Sequence, residues 1–273
     1  MVEITTSTYQ PVKMIDVFGT LSWDLHTQVY RSGLSAEVFL RAEGLTTASF
    51  MEKADRSGVG READEIIARR MVEIARQLDA AGFKLTLSHN VRRATMKDPA
   101  AFFRILKDSG YPFAVEILEL YKLDGDMTAF ARQSHELGFG LMLDDIADDP
   151  QLAEKWAALH PYLSGVKVSL AKDGKVFDAF ASGNLHPLKN TFHAIEAALK
   201  AGKKAVIEQG EIPMGNGMTP AAYLEDFFLC RGVPPEQIDI QNWNYHKAAP
   251  TVEVIAHLKT RHGQQSQRIQ PHI

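Results

Sequence analysis

Three short apolar runs lie close together: Phe83-Lys-Leu-Thr-Leu-Ser-His-Asn90, Phe113-Ala-Val-Glu-Ile-Leu-Glu-Leu120 and Phe139-Gly-Leu-Met-Leu-Asp-Asp145. Each has strand length, each follows or precedes an amphipathic stretch, and each places polar residues late in the run. The stretch before the first run carries Ile67, Met71, Ile74, Ala75 and Leu78, which share one face of a helix ending near Gly82. A second helix is expected from Pro99 to Lys107, and a third carries Met127, Phe130 and Leu137 and stops at Gly138. Alternation of this kind is the mark of βα units and a parallel sheet.

The pattern continues in both directions. Further strands are expected at Gly165 to Leu170, Lys204 to Gln209 and Gln237 to Asn242, with a helix bearing Leu188, Phe192, Ile195 and Leu199 between the first two. A last helix runs from Pro250 to about Thr260. Upstream, Asp24 to Arg31 and Ala36 to Arg41 flank a Ser32-Gly33 turn suited to a hairpin. Six parallel-type strands after a hairpin approach the eight of a closed α/β barrel, and the 273 residues match that architecture. An open doubly wound sheet is the alternative, although no glycine-rich phosphate loop follows the first strand. The barrel spans 23–262, with an N-terminal extension at 1–22 and a polar C-terminal tail at 263–273.

Composition narrows the function. Hydrophobic residues at 45% and charged residues at 23% describe a chain with a packed core. Thirty basic against 34 acidic side chains give a net charge of −4, which argues against a surface for polymeric DNA or RNA. The single cysteine, Cys230, excludes an internal disulfide and a cysteine-based zinc site. No apolar run reaches membrane-spanning length and the start lacks signal-peptide order, so a cytoplasmic location without membrane attachment is expected.

Asn90, Glu116, Glu119, Asp144, Asp145, Glu208 and Gln241 all fall late in their strands, and Glu37 lies on the hairpin. In a barrel those ends converge on the catalytic face. Taken singly, each acid reads more readily as a surface carboxylate, Asp144-Asp145 equally as a helix N-terminus, and Lys167 as a snorkelling edge lysine. Their shared register favours a site, and carboxylates sharing a small volume must take up protons or cations. Oxygen ligands of this kind suit hard ions such as Mg²⁺ or Mn²⁺.

The stretch from Trp23 to Pro250 resembles the EAL domain, a bacterial signalling barrel that hydrolyses cyclic di-GMP or, in degenerate copies, only binds it. Glu37-Val-Phe-Leu-Arg41-Ala42 resembles the Glu-Ala-Leu-Leu-Arg-Trp signature without its tryptophan. Leu87-Ser-His-Asn90, Val115-Glu-Ile-Leu-Glu119, Leu143-Asp-Asp145, Val166-Lys-Val168, Val206-Ile-Glu-Gln-Gly-Glu211 and the segment from Gln241 to Pro250 are similar to its later motifs, in order.

The resemblance implies a two-ion Mg²⁺ or Mn²⁺ phosphodiesterase, with Ca²⁺ inhibitory or non-productive, that converts cyclic di-GMP to pGpG, commonly as a homodimer. Glu37, Asn90, Glu116 and Asp144 would hold one ion, and Asp144, Asp145 and Glu208 the other. Lys167 would orient or deprotonate the water, Glu208 would act beside it, and Glu119 would steady the active-site loop. Gln28, Arg41, Gln241 and Glu211 would meet substrate or close the site, with Gln28 at guanine. The sequence departs from the family at Ile146-Ala-Asp-Asp149, which lacks the family's loop glycines, and at Ser169, where the family has aspartate. Arg92 and Arg93 follow Asn90 either as a phosphate fork or as a solvated surface pair. A catalytically silent receptor for cyclic di-GMP, or a module with a protein partner, is the other function these departures suggest.

Overall fold

The computed structural model describes residues 14, 17, 23–146, 151–170, 178–179, 182–184, 186–210, 218–242 and 245–268. Its eight strands form one sheet in chain order: β1 Trp23–Val29, β2 Ser35–Ala42, β3 Thr86–Asn90, β4 Phe113–Ile117, β5 Gly140–Leu143, β6 Gly165–Leu170, β7 Lys204–Gln209 and β8 Ile238–Gln241. β1 and β2 are antiparallel, with Gln28 opposite Glu37, and every later pair is parallel. The ring returns to its start where Arg31 N–H donates to the Ile240 carbonyl at 2.8 Å. This is the (β/α)8 barrel with an opening hairpin that the strand spacing predicts.

The helices are α1 Thr47–Arg56, α2 Gly60–Ala80, α3 Arg93–Lys97, α4 Ala100–Ser109, α5 Gly125–Glu136, α6 Leu152–Leu159, α7 Lys189–Lys200, α8 Pro220–Leu229 and α9 Thr251–Arg268. The buried face of α2 includes Ile67, Met71, Ile74, Ala75 and Leu78, the spacing read in the sequence. The strand expected from Phe83 begins only at Thr86, because Phe83 N–H bonds the Leu78 carbonyl and so terminates α2. Helix α9 continues eight residues past Thr260, through a segment without an apolar stripe. Met14, from the expected N-terminal extension, is buried in the main core.

Most apolar side chains fill the layer between the outer face of the sheet and the helices. Inside the barrel, Tyr30, Met142 and Val206 form a separate small cluster. Gly165 has space for no side chain there: a Cβ would lie 2.6 Å from the Lys204 carbonyl oxygen and 3.0 Å from Met142 Cε. One pleat further along their strands from Ser88, Ala114, Met142, Gly165 and Val206 come Asn90, Glu116, Asp144, Lys167 and Glu208. The apolar plug is thus succeeded by a polar layer toward the C-terminal rim.

Candidate active site

Lys167 is the centre of that layer. It lies within β6, between β5 and β7, with no solvent exposure, so it is neither an edge lysine nor a snorkelling one. Its Nζ donates to Glu37 Oε2 and Glu116 Oε2, each at 2.7 Å, and lies 2.8 Å from Glu208 Oε1 and 3.6 Å from Asp144 Oδ1. Glu37 also accepts Asn90 Nδ2 at 3.0 Å and Gln241 Nε2 at 2.9 Å. Four acids from β2, β4, β7 and the end of β5 therefore meet one ammonium.

The charge balance sets the protonation. Burial raises Glu37 and Glu116 to about 7 and Glu208 to about 8, with neighbouring acids adding to the rise and Lys167 opposing it. Burial alone would lower the Lys167 amine, but Asp144, Glu116, Glu208 and Glu37 outweigh it and hold the ammonium well above its ordinary range. One lysine does not neutralise four carboxylates, and the remainder must be met by protons or by cations.

Among the described residues, no group of three or more His, Cys, Asp or Glu side chains is already arranged around a vacant metal position. The donor set is nonetheless that of a hard cation: carboxylates and side-chain amides, with no thiolate. Asn90 Oδ1, Glu116 Oε1 and Gln241 Oε1 are moreover buried acceptors without a hydrogen-bond partner, and such oxygens are costly unless a proton donor or a cation meets them. The residues present therefore fit Mg²⁺ or Mn²⁺.

The rim is conformationally marked as well. Asp145 and Gln209 are the two non-glycine residues with positive φ among the described residues, at 48° and 58°. They follow Asp144 and Glu208 directly, so the chain turns sharply after each of these acids. Asp145 N–H donates to Asp144 Oδ1 at 3.0 Å.

The other expected site residues take different positions. Gln28 is buried, and its amide is engaged at both ends, by the His246 carbonyl and by Gln241. Arg41 is exposed on the same face of β2 as Glu37, and its Nη1 donates to Thr47 Oγ1 at 2.8 Å. Glu119 lies two residues beyond β4, and its backbone carbonyl accepts from the fully buried Lys155 of α6 at 2.7 Å. Glu211 and residues 147–149 of the divergent loop lie outside the described residues, while Ile146 is buried.

Arg92 and Arg93 form neither a phosphate fork nor a solvated pair. Arg92 is 1% exposed and ion-paired to Asp64 of α2, which also accepts Arg92 N–H at 2.9 Å and Thr95 Oγ1 at 2.5 Å. Burial would raise the Asp64 carboxyl, but Arg92, with His89 and Thr95, holds it below its usual value. Arg93 pairs with Asp124, the N-cap of α5. Sequence reading missed Asp64 because its partners are 25 to 31 residues away; a lone acid amid the apolar positions of a helix was the available signal.

No family model matches the sequence, and no curated protein matches it. Solved structures do match. An EAL domain protein from Listeria monocytogenes EGD-e aligns over 90% of this chain and 96% of its own, at 17% identity and a TM-score of 0.58. The EAL domain of Xanthomonas citri FimX, in complex with cyclic di-GMP, aligns over 87% and 90%, at 16% identity and a TM-score of 0.62. Klebsiella pneumoniae BlrP1, in a manganese and cyclic di-GMP complex, aligns over 84% of this chain and 56% of its own, at 14% identity and a TM-score of 0.58. With eight strands in EAL-like order, a hairpin start and polar residues gathered at the strand ends, the chain has the fold of the EAL domains.

Proposed function

We propose that this chain is a metal-dependent phosphodiesterase that opens cyclic di-GMP to linear pGpG. The observation that carries the reading is the Lys167 ammonium, enclosed by Glu37, Glu116, Glu208 and Asp144 at the C-terminal end of the barrel strands. The cyclic di-GMP found in the FimX and BlrP1 structures, with manganese in the latter, supports the choice of substrate and ion.

Glu37, Asn90, Glu116 and Asp144 are the candidate ligands of one Mg²⁺ or Mn²⁺, and Asp144, Asp145 and Glu208 of a second. Bound there, divalent ions would supply phosphate polarisation and an acidified water, the chemistry in which Ca²⁺ is non-productive. The chain's own residues do the rest. Lys167 neutralises the acids in the metal-free chain, and with cations in that role it is the candidate to orient or deprotonate a water. Glu208, 2.8 Å from Lys167 Nζ, is the candidate acid beside the second ion. Arg41 would turn its guanidinium toward a substrate phosphate by leaving the Thr47 hydroxyl, the Leu40 carbonyl and the Phe39 ring. Glu119 is assigned to steadying the active-site loop by resemblance; its backbone carbonyl is held by Lys155. Glu211 is assigned to the rim by resemblance alone.

One observation favours a second reading, a catalytically silent receptor for cyclic di-GMP or a module for a protein partner. The acids are gathered on Lys167 itself, and the loop after Asp145 has no glycine to open it. Chromatography of cyclic di-GMP incubated with the protein and Mn²⁺ separates the readings. Linear pGpG that is absent with Glu37→Ala supports hydrolysis; intact ligand that binds in Ca²⁺ supports the receptor.

A further inference from the structure

Two glutamines far apart in sequence connect the acid cluster to the barrel wall. Gln28 Nε2 donates to the His246 carbonyl at 3.0 Å. Gln241 Nε2 donates to Gln28 Oε1 at 3.2 Å and to Glu37 Oε2 at 2.9 Å. Glu37 Oε2 then takes Lys167 Nζ at 2.7 Å. Gln28 and Gln241 are 5% and 3% exposed, so water does not compete freely for these groups.

The polarity of this relay is fixed at both ends. A backbone carbonyl only accepts, so Gln28 must turn its NH₂ toward His246 and its oxygen toward Gln241. Gln241 must then present its own NH₂ to Gln28, which is also the group that a carboxylate at Glu37 requires. Both constraints select one orientation of the Gln241 amide and leave its Oε1 as a buried acceptor without a partner. The His246 end is itself anchored. Thr27 and Ala249 exchange backbone hydrogen bonds of 2.8 and 3.1 Å, which strap the segment after β8 to β1.

We infer that Gln28 is a positioning residue: with the His246 carbonyl it fixes the Gln241 amide against Glu37. This inference rests on the proposed hydrolysis for its kinetic test but not for its structural one. The effect of Gln28 on the chemistry passes through Gln241 to Glu37, whose orientation the relay holds.

A double-mutant cycle with the near-isosteric Gln28→Met and Gln241→Met tests the inference. Gln28→Met should lower kcat for cyclic di-GMP about tenfold with KM within twofold, and should have no further effect in the Gln241→Met background. A KM raised tenfold with kcat retained would show direct contact with ligand and overturn the inference, as would additive losses. Thermal unfolding supplies a readout that needs no turnover: because the two variants share the Gln28–Gln241 bond, the double variant should lose less Tm than the sum of the two single losses. Strictly additive Tm losses would refute the relay, whether or not the chain hydrolyses cyclic di-GMP. Gln28→Glu keeps the shape but sets a carboxylate against the His246 carbonyl, so it should not restore kcat.

Discussion

Lys167 Nζ lies 2.7 Å from Glu116 Oε2, and neither side chain has any solvent exposure. A pair this deep in a barrel is costly to form and costlier to break, because removing one partner strands the other in a low-dielectric interior. Here three further acids depend on the same ammonium. Lys167→Met should therefore destabilise the fold at alkaline pH by about 3–5 kcal/mol, measured by denaturant unfolding, and the loss should shrink at about pH 6 as the acids protonate.

The pH dependence of the metal-free protein has two limbs. Glu37, Glu116 and Glu208 are raised to about 7, 7 and 8, so the folded chain binds more protons than the unfolded one. Their contribution is fully present below the ordinary carboxylate range and is lost as pH rises through 7 to 8. His246 acts in the opposite sense: burial, then His257, lowers it to about 4, so its contribution is present above the ordinary histidine value and lost as pH falls toward 4. Scanning calorimetry in a chelator should show Tm declining as pH rises from about 5 to about 8.5, because three raised acids outweigh one lowered histidine, and Glu208→Gln should reduce the decline. Mn²⁺ should raise Tm more at the alkaline end, where the acids are ionised.

Asp64 and Arg92 make an independent prediction away from the acid cluster. Asp64→Ala would leave the buried Arg92 guanidinium, two residues beyond Asn90, with only the half-buried Asp55, 3.7 Å from its Nε, as an ion partner. The expected loss is about 3–5 kcal/mol of unfolding free energy, and Arg92→Leu combined with Asp64→Ala should recover part of it. Equal losses for the single and double variants would contradict the pairing.

Gly165→Ala tests the packing inside the barrel. Its Cβ would meet the Lys204 carbonyl and Met142, and the overpacking should cost about 1–3 kcal/mol in denaturant unfolding.

The order of the strands and the register of Asn90, Glu116, Asp144, Lys167 and Glu208 could be read from the chain because both are local properties: a strand-length run, its alternation and the residue on which it ends. What could not be read depends on contacts across the chain. Gln28 reads like any polar residue in a half-buried strand, and only the closed ring brings it to partners 213 and 218 residues away. Arg92 reads as an exposed cation until α2 brings Asp64 beneath it. Helix α8 escaped notice for another reason: it is apolar on several faces, so no single stripe marks it.

The central claim is that the acids around Lys167 form a hydrolytic site, and ³¹P NMR of cyclic di-GMP incubated with the protein and Mg²⁺ tests it most directly. Ring opening converts one phosphodiester into a phosphomonoester, so the account predicts a growing phosphomonoester signal with the unaltered chain and none with Lys167→Met. A phosphodiester spectrum that stays unchanged with the unaltered chain, or an undiminished rate with Lys167→Met, would contradict it.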